Sequence, residues 1–261
     1  MPGMPTVNVR GCRLEVQSLP APDPTRAASP IVLLHEGLGS VAMWRDWPAT
    51  LARATGRAVW VYSRRGYGQS DPVPDVRGLG RLPPDYLHRE AWEVLPDLLE
   101  QLGLQQPVLL GHSDGASIAL LHASRFPVRA CVVMAPHVLV EDVSIESIGA
   151  AREAFVHGDL RLRLVRHHAD VDVAFWQWND AWLNPAFRQF DIRDDCRRIQ
   201  APVLALQGTD DPYGTMVQVD QIDLPAEHIR RVALPGCGHS PHREAPEATL
   251  AAIVAFLAPV S

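Results

Sequence analysis

A serine between two glycines is the strongest chemical signal in the sequence. Ser113 lies in Gly111-His112-Ser113-Asp114-Gly115, after the apolar run 108–110 and before the small-residue segment 116–121. This order predicts a strand, a sharp turn and a helix, and the glycines two places to either side leave room for the turn. The turn would expose the serine oxygen above the strand ends, where it can attack a carbonyl carbon.

An aspartate and a histidine follow in the order that such a nucleophile needs. Asp211 and His239 each come just after one of two successive apolar segments. We favour Asp211 over Asp210 because the turn at the preceding glycine would project it toward the site. His239 is favoured over His242 because glycines precede it closely and allow a tight approach. The order Ser, Asp, His is that of catalytic triads on an α/β sheet, so Ser113, Asp211 and His239 are the predicted catalytic residues.

Two backbone amides could stabilise the negative charge that develops when the serine attacks. The N–H of Asp114 opens the helix after the serine and points at the attacked group. A second N–H would come from the loop His35-Glu36-Gly37-Leu38, which follows the apolar segment 31–34. If the donor is the second residue after His35, it is Gly37. If Glu36 is an insertion in this loop, the donor is Leu38, and we keep both candidates. His35 is expected to brace this loop.

Short apolar segments alternate with helical patterns along the chain. Buried-strand patterns lie at 31–34, 58–62, 108–110, 130–134, 203–206 and 229–234, and helical patterns at 44–53, 85–102, 114–125, 214–222 and 244–257. This alternation predicts right-handed crossovers and a mostly parallel sheet with helices on both faces. An antiparallel hairpin is predicted at 7–16. Such a fold binds ligands at the carboxyl ends of its strands, where the candidate residues fall.

The alternation of strands and helices stops between residues 137 and 198. We predict a small helical cap there, inserted into an α/β core of residues 1–136 and 199–261. Aromatic residues recur in the cap at helical spacing, which is typical of a face that docks onto the core. Some are expected to line an apolar substrate pocket. The predicted pocket residues are Glu36, His112, His137, Trp176 and Trp178.

Charge and composition exclude several functional classes. A net charge of -6 and an isoelectric point near 6.0 argue against nucleic acids and anionic membranes as partners. No apolar run is long enough to span a membrane and no targeting segment opens the chain, so a cytoplasmic protein is expected. The four cysteines are far apart and the His167-His168 pair has no further ligand at a fitting spacing. We therefore predict no disulfide, metal or other cofactor. A homodimer is compatible with the sequence.

Taken together, these motifs resemble the α/β-hydrolase superfamily. The resemblance extends from about Val7 to Leu257 and rests on Leu34-His35-Glu36-Gly37, Arg65-Gly66-Tyr67-Gly68-Gln69-Ser70, the Ser113 motif, Gly208-Thr209-Asp210-Asp211 and Gly238-His239. It implies an α/β-hydrolase fold with a sheet of about eight strands and a serine nucleophile. The Ser-Asp-Gly-Ala form of the elbow and the tryptophan-rich cap also resemble the valacyclovirase-like (biphenyl hydrolase-like) branch, whose members cleave carboxylic esters.

The resemblance implies hydrolysis of a small apolar or aromatic carboxylic ester, thioester or lactone through an acyl-enzyme on Ser113. Alternatives on the same fold are a carbon–carbon bond hydrolase, a cofactor-free oxygenase and a ligand receptor with little turnover. Haloalkane dehalogenases and epoxide hydrolases resemble this fold but carry aspartate where Ser113 stands, so both are disfavoured. Glu36 departs from the family pattern, which more often has glycine there, and it brings a carboxylate near the site.

Overall fold

An eight-stranded sheet organises the part of the chain that the structure describes. The structure is a computed structural model that describes residues 6–25 and 28–260. The strands are β1 (Thr6–Val9), β2 (Cys12–Leu19), β3 (Ile31–Leu34), β4 (Val59–Tyr62), β5 (Val108–His112), β6 (Ala130–Met134), β7 (Val203–Gly208) and β8 (Ile229–Leu234). Their spatial order is β1-β2-β4-β3-β5-β6-β7-β8. Strands β3 to β8 pair in parallel, and β2 pairs antiparallel with both β1 and β4. The predicted α/β-hydrolase fold is confirmed.

Helices cover both faces of this sheet. They are α1 (Trp47–Thr55), α2 (Tyr86–Arg89), α3 (Leu95–Gln101), α4 (Asp114–Ala123), α5 (Asp142–Val156), α6 (Leu160–Leu164), α7 (Val171–Trp182), α8 (Arg193–Cys196), α9 (Val217–Asp220), α10 (Pro241–Glu244) and α11 (Pro246–Leu257). A π turn at Glu90–Val94 separates α2 from α3. The helix predicted at 214–222 is shorter than expected and spans only Val217–Asp220. Before it, the N–H groups of Tyr213 and Thr215 donate to the carboxylates of Asp211 and Glu141.

Alternate residues of each central strand face opposite sides of the sheet, so two apolar layers form. On β3, Ile31 and Leu33 belong to the layer built with α1 and α11. Val32 and Leu34 belong to the opposite layer, which includes α4 and aromatic side chains from residues 155–190. All four are almost fully buried. Burial on both faces explains why these strands are continuous apolar runs in the sequence.

Helices α5 to α8 lie between β6 and β7, in the segment for which the cap is predicted. The stacked rings of Phe155 and Phe175, whose centroids are 3.7 Å apart, join α5 to α7. At the end of α7, the Trp182 Nε1–H donates to the carboxylate of Asp114, the residue after Ser113. This segment therefore lies over the carboxyl ends of the central strands. Within residues 6–25 and 28–260, every helix is too short or too polar to cross a membrane.

Candidate active site

Ser113 lies at the apex of the turn that joins β5 to α4. Its backbone has φ 54° and ψ -119°, a conformation that places the side chain away from both elements. The flanking glycines are required by close backbone contacts. A Cβ on Gly111 would lie 2.2 Å from the carbonyl oxygen of Gly115, and a Cβ on Gly115 would lie 2.0 Å from that of Leu34. Glycine at both places is therefore what permits the strained elbow.

A chain of hydrogen bonds joins Ser113 to His239 and Asp211. The His239 Nε2 lies 2.9 Å from the Ser113 Oγ, and its Nδ1 lies 2.8 and 2.9 Å from the two carboxylate oxygens of Asp211. Burial acts to raise the pKa of the Asp211 carboxyl, but the hydrogen bond and charge of His239 hold that pKa below its ordinary value. An ionised Asp211 accepts a hydrogen bond from the Nδ1–H, which leaves Nε2 unprotonated and able to accept the serine proton.

The two neighbours considered from the sequence, Asp210 and His242, do not take part in this chain. Asp210 is exposed and its carboxylate accepts from the Thr209 hydroxyl at 3.0 Å. The His242 ring packs near the rings of Trp44 and Trp47, and neither of its nitrogens has a hydrogen-bond partner among the described residues. Burial lowers the pKa of His242 to about 2, so this ring is neutral.

The backbone donors predicted for an oxyanion hole surround the same space as Ser113. Asp114 begins α4, and the first N–H groups of a helix have no acceptor within the helix. Gly37 and Leu38 line the cavity beside it, and in the described chain neither of their N–H groups donates to a protein acceptor. Both therefore stay candidates for the second donor. The Nε2–H of His168, from the cap segment, donates to the Leu38 carbonyl at 3.0 Å and fixes the far side of this loop.

The buried Arg64, which sequence reasoning did not identify, holds residues 35–38, the predicted oxyanion loop. Its guanidinium donates to the carbonyl oxygens of His35 at 2.7 Å and Glu36 at 3.1 Å, and lies 3.7 Å from the Asp114 carboxylate. The His35 ring bridges the same backbone, because its Nδ1–H donates to the Glu36 carbonyl and its Nε2 accepts the Arg64 N–H. His35 thus braces the loop, as its position in the sequence suggests.

The Asp114 side chain has a second role that its sequence position did not reveal. Its carboxylate is fully buried and accepts from the Tyr86 hydroxyl at 2.7 Å and the Trp182 Nε1–H at 3.1 Å. Burial raises the pKa of Asp114 even though Arg64 acts in the opposite direction. These partners are distant in the chain, and they join the turn at Ser113 to α7 and to α2.

Similarity to known proteins agrees with this geometry. A family model described as "Alpha/beta hydrolase family" matches residues 31–253. The chain belongs to the alpha/beta hydrolase family. A proline iminopeptidase from Lactobacillus helveticus is 25% identical over 256 residues, covering 80% of this chain and 83% of the relative. The serine hydrolase BPHL of Homo sapiens is 27% identical over 193 residues, covering 70% of this chain and 64% of the relative. The expected resemblance to the biphenyl hydrolase-like branch is confirmed at this low identity.

Solved structures share the fold over almost the whole chain. The enol-lactonase from Burkholderia xenovorans LB400 has a TM-score of 0.70 at 19% identity, covering 97% of this chain and 100% of that structure. A carboxylesterase structure from Nitrososphaera gargenis has a TM-score of 0.73 at 20% identity, covering 98% of each chain. At such identities the likeness concerns the fold.

The cavity of this hydrolase at Ser113 has a volume of about 210 Å³. Of the predicted pocket residues, Glu36, His112, His137 and Trp178 line it. Trp176 does not, because its ring lies outside the cavity and stacks with the Arg77 guanidinium at 3.9 Å. The helical spacing of the aromatic residues shows that they share a helix. It could not show that the Trp178 side of α7 faces the cavity while the Trp176 side faces Arg77.

Other lining residues were not selected from the sequence. Ile148 and Trp182 add apolar surface from the cap segment, and Tyr213 and Ser240 add hydroxyl groups from the loops that carry Asp211 and His239. Helical spacing alone marked Trp182 as a docking residue, and the other three carried no sequence signal. In the part of the chain that the structure describes, no three His, Cys, Asp or Glu side chains are arranged to hold a metal ion.

The cavity wall presents no free charge among its described residues. Glu36 and Asp114 are the two carboxylates among the lining residues, and both have partners. Burial would raise the pKa of Glu36, but His112 and Arg243 hold that pKa well below its ordinary value. Burial lowers the pKa of His137 to about 3, so its ring is neutral. The wall therefore suits an uncharged group.

Proposed function

We propose that this chain is a serine hydrolase that cleaves small, uncharged carboxylic esters, thioesters or lactones through an acyl-enzyme. The observation that carries the proposal is the hydrogen-bond chain Ser113–His239–Asp211 at the wall of an apolar cavity. Each member has the partner that its role requires, and the serine oxygen faces the space where a carbonyl carbon would lie.

The reaction proceeds in two steps. In the first, the Ser113 Oγ bonds to the carbonyl carbon while His239 Nε2 takes its proton and then gives that proton to the leaving oxygen or sulfur. In the second, His239 takes a proton from water, the hydroxide adds to the acyl carbon, and Ser113 leaves with the proton returned. Asp211 stabilises the imidazolium in both steps. The Asp114 amide, with that of Gly37 or Leu38, stabilises each tetrahedral oxyanion by about 3–4 kcal/mol per donor.

Cavity size and charge support the substrate class. A volume of about 210 Å³ is smaller than the roughly 300–1,000 Å³ of sites for drug-sized ligands, so the acyl group is short or a single ring. A substrate with a free amine would need an unpaired carboxylate, and Glu36 and Asp114 are both occupied. This favours esters over N-terminal peptide substrates, although proline iminopeptidases are among the relatives.

The proposal is tested with p-nitrophenyl esters from acetate to octanoate, and benzoate. Ser113→Ala should lower kcat by at least about 10⁴-fold with little change in stability. Ser240→Ala is the matched control, because Ser240 also lines the cavity but lies outside the hydrogen-bond chain. The optimum should fall at short acyl chains, and proline p-nitroanilide should not be turned over. Equal rates for wild type and Ser113→Ala would overturn the mechanism and favour the oxygenase, carbon–carbon hydrolase or receptor alternatives.

A further inference from the structure

His112 connects three parts of the site through one buried ring. It ends β5 immediately before Ser113 and is 1% exposed. Its Nε2–H donates to the main-chain carbonyl of His239 at 2.7 Å, and its Nδ1 lies 3.6 Å from the Glu36 carboxylate. The nucleophile strand, the oxyanion loop and the histidine loop therefore meet at this side chain.

Glu36 is held in a fixed place beside that ring. One carboxylate oxygen faces His112, and the other lies 3.6 Å from an Arg243 nitrogen that also donates to the Met43 carbonyl. A Cβ on Gly39 would lie 2.4 Å from the carboxylate, so the loop closes tightly around it. The Nδ1 edge of the His112 ring has no hydrogen-bond partner among the described residues and faces this carboxylate at 3.6 Å, so a carboxylate confined in this way limits how the ring can turn.

Among the described residues, the main chain of His239 itself makes one hydrogen bond, through its carbonyl oxygen. The loop follows β8 and includes Gly236, whose φ is 68°. Glu244 accepts the N–H groups of Gly238 and Ser240, and His112 supplies the bond to the His239 carbonyl. The imidazole is attached to this main chain, so movement of the carbonyl moves Nε2 relative to the Ser113 oxygen. Misplacement by about 1 Å can cost about 100-fold in rate.

We propose that Glu36 and His112 are positioning residues that set His239 against Ser113. The Glu36 carboxylate orients the His112 ring, and the ring's Nε2–H holds the His239 carbonyl. This explains why the oxyanion loop contains a glutamate at a cavity whose wall suits an uncharged group. The inference rests on the proposed function, because it concerns the group that takes the serine proton.

A double-mutant cycle on kcat tests whether Glu36 acts through His112. Glu36→Gln removes the charge and should lower kcat about tenfold, and His112→Phe removes both nitrogens and should lower it about 30–100-fold. Because Glu36 acts through the ring, the double variant should match His112→Phe within about twofold. Both side chains line the cavity, so KM can change, but the change in KM should be smaller than the change in kcat in all three variants, because the assigned role acts on the position of His239.

Two further variants keep the test decisive. In His112→Gln the side-chain amide can still donate to the His239 carbonyl, so kcat should be closer to wild type than in His112→Phe. Adding Glu36→Gln to this variant should cause no further loss of kcat. His122→Phe is the matched control: His122 is also a buried histidine that donates to a main-chain carbonyl, that of Ala91 at 2.9 Å, but it lies outside the site. Its kcat should stay within about threefold, while its melting temperature falls as in His112→Phe.

Several outcomes would overturn the inference. The first is a fall in kcat in the double variant that equals the product of the two single falls. The second is a change in KM with kcat unchanged. The third is a loss of kcat in His122→Phe equal to that in His112→Phe. If Ser113→Ala abolishes turnover while Glu36→Gln and His112→Phe keep kcat within threefold, the proposed function stands and the positioning role fails. If Ser113→Ala keeps wild-type turnover, the proposed function itself fails.

Discussion

Asp211→Asn removes the charge of the carboxylate with almost no change in side-chain volume. In the wild type, one carboxylate oxygen accepts the Tyr213 N–H and the other accepts the Gln207 side-chain N–H, each at 2.8 Å. Both oxygens also face the His239 Nδ1. The side-chain amide of an asparagine could take either of two orientations. In one its NH₂ faces the Tyr213 N–H, and in the other it faces the Gln207 side-chain N–H, so in both orientations two donors oppose each other. Gln207 is not free to turn, because the same nitrogen donates to the Gly214 carbonyl.

The loss of charge changes the tautomer of His239. If the asparagine NH₂ donates to Nδ1, the imidazole proton moves to Nε2, which can then no longer accept the Ser113 proton. The imidazolium formed during the reaction also loses its counter-ion. We expect kcat to fall about 10⁴-fold, equivalent to about 5 kcal/mol of transition-state stabilisation.

The assay is steady-state hydrolysis of p-nitrophenyl butyrate, with thermal unfolding measured in parallel. Asp210→Asn is the matched control, because Asp210 is the adjacent aspartate, is exposed and accepts only from the Thr209 hydroxyl among the described residues. Its kcat should remain within about twofold of wild type. A loss of less than tenfold in Asp211→Asn, or comparable losses in both variants, would refute the tautomer argument and the choice of Asp211.

Two predictions concern stability. Tyr86→Phe removes a 2.7 Å hydrogen bond to the buried Asp114 carboxylate. The free energy of unfolding, measured by urea denaturation, should fall by about 1.5–3 kcal/mol. A loss below about 0.5 kcal/mol would contradict the role given to this bond. Buried His242 has its pKa lowered to about 2, so below pH 6.5 the unfolded chain binds a proton that the folded chain does not, and stability falls as the pH drops. His242→Phe should therefore lose about 2 kcal/mol less than wild type between pH 7 and pH 5, and parallel losses in the two proteins would show that the prediction is wrong.

The sequence by itself determined the fold and the residues that meet at the reacting centre. Apolar runs such as 31–34 and 203–206 predict strands because only residues buried on both faces can be apolar without alternation. The elbow glycines predict the turn because a side chain at either place would collide with the backbone. Once the sheet is parallel, its topology brings the residues after β5, β7 and β8 to one edge, so Ser113, Asp211 and His239 meet there.

Only the tertiary structure decided which side chains surround that centre. Arg64 and Tyr86 reach Asp114 from other loops, and no local pattern encodes a contact between residues so far apart in the chain. Trp176 and Trp178 lie two places apart on α7 and point in different directions, one to Arg77 and one to the cavity. Helical periodicity shows which residues lie on the same side of a helix. Where that helix lies over the sheet depends on how all of the packed side chains fit together.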